Sequence, residues 1–209
     1  MIEISLNITY SFTSSVIQDE IDTTSYFQNY IAKVYTENKD GHDIYVGKIS
    51  FRLLDLAKVD EVGDDLHDVF DTYDTTFRWG QEFYDIIEGG FHHCLISKYP
   101  DLAYEIGKIC FIEEIVLLKA FRGKGIGTRI LEDIRWNFSN QCILFVLKAY
   151  PLQFDISKKN TNDEKEFDLK ELEKDQEKAV YKLKTFYTRS GFTEFKEIED
   201  MFFYCSIYQ

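Results

Sequence analysis

Proline and long apolar runs are what this 209-residue sequence has least of: it contains two prolines, and no stretch approaches the length of a bilayer span. Set beside 18 Phe and 14 Tyr, the scarcity of proline argues against disorder and for ordered sheet and helix. The opening residues Met1-Ile-Glu-Ile-Ser-Leu6 lack the basic start and apolar run of a secretory signal, so a cytoplasmic protein without a membrane partner is expected. Four cysteines, Cys94, Cys110, Cys142 and Cys205, stand singly with no CxxC pair and, apart from His92-His93 before Cys94, no close histidine. That pattern speaks against a zinc site, predicts reduced core thiols and implies no metal. Basic residues are also short, 24 against 37 acidic ones, and a net charge of −13 disfavours nucleic acid and anionic membrane surfaces, which need Lys and Arg to neutralise phosphates.

What is present suffices for one core. With 44% hydrophobic residues the chain reads as a single domain over 1–209, divided into an N-terminal half (1–107) and a C-terminal half (108–209). The acidity belongs to the first part: residues 1–100 carry a charge of −11 and residues 101–209 only −2. If the first half faces an acceptor substrate, its field favours a cationic amine; the plainer reading is a solvated acidic surface.

Periodicity supplies the elements. Tyr26 to Tyr35 and the alternating Asp43 to Leu56 predict two antiparallel strands joined by a turn at Asn38-Lys-Asp-Gly41. Leu66, Val69, Phe70, Tyr73, Phe77, Gly80, Tyr84 and Ile87 recur at helical spacing, predicting one long helix or two shorter ones, with Asp64 as N-cap and Gly89-Gly90 as the stop. Cys110 to Leu118 suits a strand buried on both faces. After it come a glycine turn, a helix with Ile126, Ile130, Leu131, Ile134 and Phe138 on one face, and an apolar strand from Cys142 to Leu147. The polar stretch Ser157 to Glu166 reads as a surface loop. A last helix is expected from about Glu166 to Gly191, carrying Leu169, Leu172, Ala179, Val180, Leu183 and Tyr187, followed by short strands at Phe192–Ile198 and Met201–Ile207.

The glycine turn carries the chemistry. A helix that begins just after Gly123, Gly125 and Gly127 offers free backbone N–H groups and the positive end of its dipole to a phosphate, with Arg122 and Lys124 as charged donors at the rim. The plain alternative is a tight strand-to-helix turn. A nucleotide-triphosphate loop needs GxxxxGK followed by Ser or Thr, which Gly123-Lys-Gly-Ile-Gly-Thr128 does not provide. A dinucleotide loop needs GxGxxG on a first strand, and this one reads GxGxG deep in the chain, which leaves NAD a weak second choice.

Arg122-Gly-Lys-Gly125-Ile-Gly127 resembles the signature of the GNAT superfamily of acetyl-coenzyme A-dependent N-acetyltransferases: Gln or Arg, two residues, Gly, one residue, Gly or Ala. Phe186-Tyr187-Thr-Arg-Ser-Gly191-Phe192 is similar to the family's last helix. The resemblance covers roughly Lys108 to Gln209, with one departure: the Asn and Ala often found upstream of the tyrosine are replaced by residues such as Val180 and Leu183. It implies an α+β GNAT fold, a central mixed, mostly antiparallel sheet flanked by helices. It also implies acetyl-CoA as cosubstrate, its pantetheine arm beside Ile115, Val116 and Leu117 and its pyrophosphate on the amides of Arg122, Gly123, Lys124, Gly125, Ile126, Gly127 and Thr128. Acetyl transfer would go to a primary amine, small molecule or peptide, by direct attack, in a family whose members commonly form homodimers. Tyr187 is then the candidate acid, and Glu113, with Glu114 beside it, the candidate base. A coenzyme A-binding or protein-interaction module without catalysis keeps the same residues. The connection from Tyr150 to Glu166 exceeds the family's usual link and is expected to cover or narrow the acceptor site.

Overall fold

The structure, a computed structural model, describes residues 5–13 and 22–208. Met1 to Ile4, most of the segment read above for a signal, lie outside the described residues. The first strands are β1 (Asn7–Thr13), β2 (Phe27–Glu37) and β3 (Asp43–Asp55). The β2–β3 turn is the expected one: Asn38 accepts from the amides of Asp40 and His42 at 2.9 Å each, and Gly41 takes φ 78°. Edge strand β1 was not expected from the sequence; all seven of its residues pair with β2.

Three helices follow, α1 (Leu56–Val62), α2 (Leu66–Phe70) and α3 (Asp74–Phe83). The two-helix alternative is therefore the right one as far as Phe83, with an extra helix before it; Tyr84 to Ile87 leave the helix, so Gly89-Gly90 is not its stop. Asp55 caps α1 and Asp65, not Asp64, caps α2; Asp64 instead accepts a hydrogen bond from the buried Tyr26 hydroxyl. Strands β4 (Tyr84–Asp85) and β5 (Gly90–Phe91) form a small hairpin before α4 (His93–Lys98).

Strand β6 (Lys108–Leu117), helix α5 (Ile126–Phe138) and strand β7 (Cys142–Lys148) form the predicted strand, glycine turn, helix and strand. Ile126, Ile130, Leu131, Ile134 and Phe138 are the buried face of α5, as their spacing required. Beyond β7 the chain makes short turns and the small helix α6 (Asn162–Glu166) before α7 (Gln176–Arg189), and it ends with β8 (Thr193–Phe195) and β9 (Ile198–Cys205). The last helix thus starts ten residues later than its apolar stripe suggested. Asp175 caps it by accepting from the amide of Lys178, while Leu169 sits in a separate turn packed against Val116.

Among the described residues the main sheet has seven strands in the order β1-β2-β3-β6-β7-β9-β8, and every neighbouring pair is antiparallel except β6–β7. The molecule is therefore α+β with a mostly antiparallel sheet flanked by helices. One sheet face packs Phe27, Phe111, Val146 and Phe203 against the layer of α1 to α4. The other packs Cys110, Phe145 and Phe202 against α5 and α7. All four cysteines are buried free thiols. Among the described residues no helix is long and apolar enough to cross a membrane.

Candidate functional site

Two irregularities in the sheet create the site. β6 pairs with β7 only from Lys108 to Phe111 and then runs on to Leu117, so among the described residues the backbone of 112–117 has no strand partner on that edge. On its other edge, β6 steps out of register with β3 between Ile112, opposite Phe51, and Glu114, opposite Ser50. Glu113 is the extra residue of this bulge. An extra residue reverses the alternation of a strand. Ile115 and Leu117 consequently join the face held by Cys110 and Ile112, and Val116 goes to the opposite one.

The parted strands open into a cavity of about 1170 Å³. Its walls bring together Glu113 to Leu117 of β6, Arg122, Gly123 and Gly125 to Thr128 of the glycine turn, and Ala179, Leu183, Phe186 and Tyr187 of α7. α3 contributes Asp74, Arg78 and Trp79, and the segment between β7 and α7 contributes Tyr150, Leu152, Asp155, Lys158 and Leu169. Nearly every residue nominated from sequence meets here. Lys124 is the exception: it is exposed on the turn, over the ring of Phe121, and takes no part in the wall.

At the turn, Gly123 and Gly125 have φ 70° and 75°, and a Cβ at either would meet open space. Left-handed backbone and open approach are what a turn presenting amides to an anion needs. Gly127 serves a different end. A Cβ there would come 2.9 Å from the Phe186 ring, so its lack of side chain lets α5 and α7 close on each other. Arg122 also departs from expectation. Its guanidinium donates to the carbonyl of Leu117 at 3.0 Å and to that of Phe167, tying the turn to the segment beyond β7. Burial lowers its pKa, though it remains charged at neutral pH.

The two carboxylates of β6 are not equivalent. Arg52 Nη2 donates to Glu113 Oε2 at 3.0 Å, its Nε lies 2.8 Å from Oε1 in an ion pair that is not a hydrogen bond, and Arg52 lies 3.7 Å over the ring of Tyr73. Glu114 uses one oxygen to accept from Lys158 Nζ at 2.6 Å, while its Oε1 is buried with no hydrogen-bond partner among the described residues. Burial opposes charge on Lys158, but Glu114, Asp163 and Asp155 outweigh it and raise the ammonium's pKa above its ordinary value. Tyr187 is buried among Phe186 and Phe202 and lines the cavity; burial raises its phenol pKa, so it stays protonated and able to donate at neutral pH.

The stretch expected as a surface loop, Ser157 to Glu166, is largely exposed, but Lys158 turns into the cavity and the chain on either side of it forms the far wall. Phe167 and Leu169 are buried against Val116, Lys48 pairs with Asp163 at 2.8 Å, Lys182 with Glu173 at 2.5 Å, and Lys119 with Glu171. Sequence reasoning missed Arg52, Lys158 and the α3 residues, because each lies far along the chain from the partner that gives it meaning. The cavity wall is mixed in charge: Asp74, Glu113, Glu114, Asp155 and Glu173 face Arg78, Arg122, Lys148, Lys158 and Lys182. The acid surplus of the first half is thus not concentrated at this site. His92 and His93 lie outside it, with His92 Nδ1 3.1 Å from Cys94 Sγ. Comparisons with protein-family models, curated proteins and solved structures gave no match.

Proposed function

We propose that the protein is a GNAT-type N-acetyltransferase that moves an acetyl group from acetyl-coenzyme A to a primary amine. The observation that carries this reading is the meeting, in one cavity, of an unpaired β6 edge and a glycine turn that opens a helix. A parted strand pair offers backbone hydrogen-bonding groups to an extended amide chain, and the turn offers amides to a pyrophosphate. The site fits the donor on both counts, with Ile115 to Leu117 bordering the gap and Gly123 and Gly125 leaving the approach to the turn open.

Acetyl-coenzyme A supplies the activated thioester; the chain supplies position and proton transfer. Glu114 is the stronger base candidate, because both oxygens of Glu113 lie within 3.0 Å of the Arg52 guanidinium whereas Lys158 engages a single oxygen of Glu114. This reverses the order suggested by the sequence. Tyr187, which lines the cavity with its phenol protonated, gives its proton to the leaving thiolate, although burial opposes the charge this leaves on the ring oxygen. The turn's contribution is its amides and dipole, with Arg122 acting as a brace for the wall and Lys124 standing at the solvent edge.

A non-catalytic coenzyme A-binding role on the same fold is favoured by one observation: both carboxylates of β6 already have a cationic partner. Isothermal titration of acetyl-coenzyme A into the wild type and Gly125→Glu tests the first part of the reading, with binding expected in the wild type and at least a hundredfold weaker in the variant. Thiol release on a panel of primary amines tests the second. No binding by the wild type sinks the proposal, and binding without turnover on any amine selects the non-catalytic role.

A further inference from the structure

Lys158 holds a place in the cavity that a surface lysine has no reason to hold. It comes from the segment between β7 and α7, lies 44 residues along the chain from Glu114, and puts Nζ 2.6 Å from that carboxylate. Its side chain is 23% exposed, against 10% for Glu114. The two line the same cavity as Ile115 to Leu117, the glycine turn and Tyr187. A primary ammonium on a flexible stem, seated against the carboxylate next to the donor groove, has the chemistry of the acceptor itself.

We infer that Lys158 occupies the acceptor's ammonium place as a tethered acceptor, and that it is acetylated on Nζ by the protein's own acetyl-coenzyme A when no other amine is present. The inference rests on the acetyltransferase reading and deepens it. Two observations carry it. Glu114 Oε1 is buried and has no hydrogen-bond partner among the described residues, so the carboxylate is built to serve more than the one lysine contact. Lys158 is also held in place from outside the β6 strand, since Asp163 lies 3.7 Å from its Nζ and is itself fixed by Lys48 at 2.8 Å.

The transfer balances without any further reagent. The Lys158 ammonium passes one proton to Glu114, and the free Nζ attacks the thioester carbonyl carbon. The C–N bond forms, the C–S bond breaks, the second amine proton leaves to solvent, and the thiolate takes a proton from the Tyr187 phenol, which solvent restores. The products are an Nε-acetyl-lysine and free coenzyme A. Acetylation removes the charge that binds Glu114 and Asp163, so the segment around residue 158 loses two of its ion pairs.

The test is peptide mapping by mass spectrometry of the wild-type protein incubated with acetyl-coenzyme A alone. The expected result is one acetyl group at Lys158, gained at a rate independent of protein concentration and at least tenfold slower in Glu114→Gln. Lys158→Arg, which keeps the charge, should gain none at that position. Modification no faster at Lys158 than at the neighbouring Lys159, or unchanged in Glu114→Gln, overturns the inference. A readout without the donor is binding of propylammonium, the piece deleted in Lys158→Ala, followed by NMR. Saturable binding is expected in that variant and at least tenfold weaker binding in Lys158→Ala/Glu114→Gln; equal binding in both refutes Glu114 as the ammonium place. If calorimetry shows no acetyl-coenzyme A binding, the acetyltransferase reading itself falls. Binding with Lys158 unmodified overturns only the tethered acceptor.

Discussion

The wall that runs from β6 through the glycine turn to α7 and the wall contributed by residues 149–175 enclose the same cavity, yet different forces hold them. The first is built from a strand inside the sheet and two helices whose apolar faces share one core with it. The second is a chain of short turns and one five-residue helix, held by a small apolar cluster of Phe167, Leu169 and Val116 and by ion pairs at Lys48, Lys119, Lys158 and Lys182. Core packing makes a wall rigid and nearly indifferent to pH and salt. Side-chain pairs make one that can be loosened separately, because each pair is screened and titrates.

That contrast can be broken most directly at Phe167. Removing a fully buried ring should cost about 3–5 kcal/mol of the second wall's hold, plus whatever the Arg122 contact to the Phe167 carbonyl loses. Phe167→Ala is expected to expose residues 149–175 to limited proteolysis while amide exchange in β6 and α5 stays slow. Simultaneous loss of protection in both regions would show that they form one cooperative unit.

A smaller effect is expected from the opposite side. In Gly127→Ala the new methyl group meets the Phe186 ring, and an overpacked helix contact costs about 1–3 kcal/mol. Thermal unfolding should report this as a lowered Tm for the whole molecule, with no selective release of residues 149–175, because α5 and α7 belong to the shared core.

The mildest perturbation is acid. Asp163 is pulled below its ordinary pKa by Lys48, against burial, with help from Lys158; Glu171 is lowered by Lys119 and Glu173 by Lys182. Carboxylates with lowered folded-state values give stability that is present above their unfolded pKa and lost as pH falls through the folded one. The second wall should therefore stay docked at neutral pH and loosen below about pH 4, before the core unfolds. Hydrogen exchange of residues 149–175 between pH 5 and pH 3 checks this order, after correction for the intrinsic exchange rate.

Legibility in the sequence followed the same divide. The β6–α5–β7 order was readable because every part has a short-range signature: an apolar run, glycines at a turn, and apolar residues at helical spacing. The start of α7 was misread because Leu169 and Leu172 continue its apolar stripe, although Asp175 caps the helix and Leu169 packs elsewhere. The surface position of Ser157 to Glu166 was legible from its polar residues, but the inward contacts of Lys158 and Asp163 were not. Their partners, Glu114 and Lys48, lie on strands far back in the chain and leave no local trace.

The sequence by itself determined the buried face of α5, the core thiols and the glycine turn, since these depend on periodicity, size and backbone freedom within a few residues, whereas the α+β class was expected only through the family resemblance. Only the tertiary structure decided that β6 parts from β7 after Phe111, that the bulge makes Glu113 the extra residue of its strand, and that Arg52 takes Glu113 while Lys158 takes Glu114. Those outcomes depend on which distant side chains the folded sheet brings within hydrogen-bonding distance, and that distance is set by the packing of the whole chain.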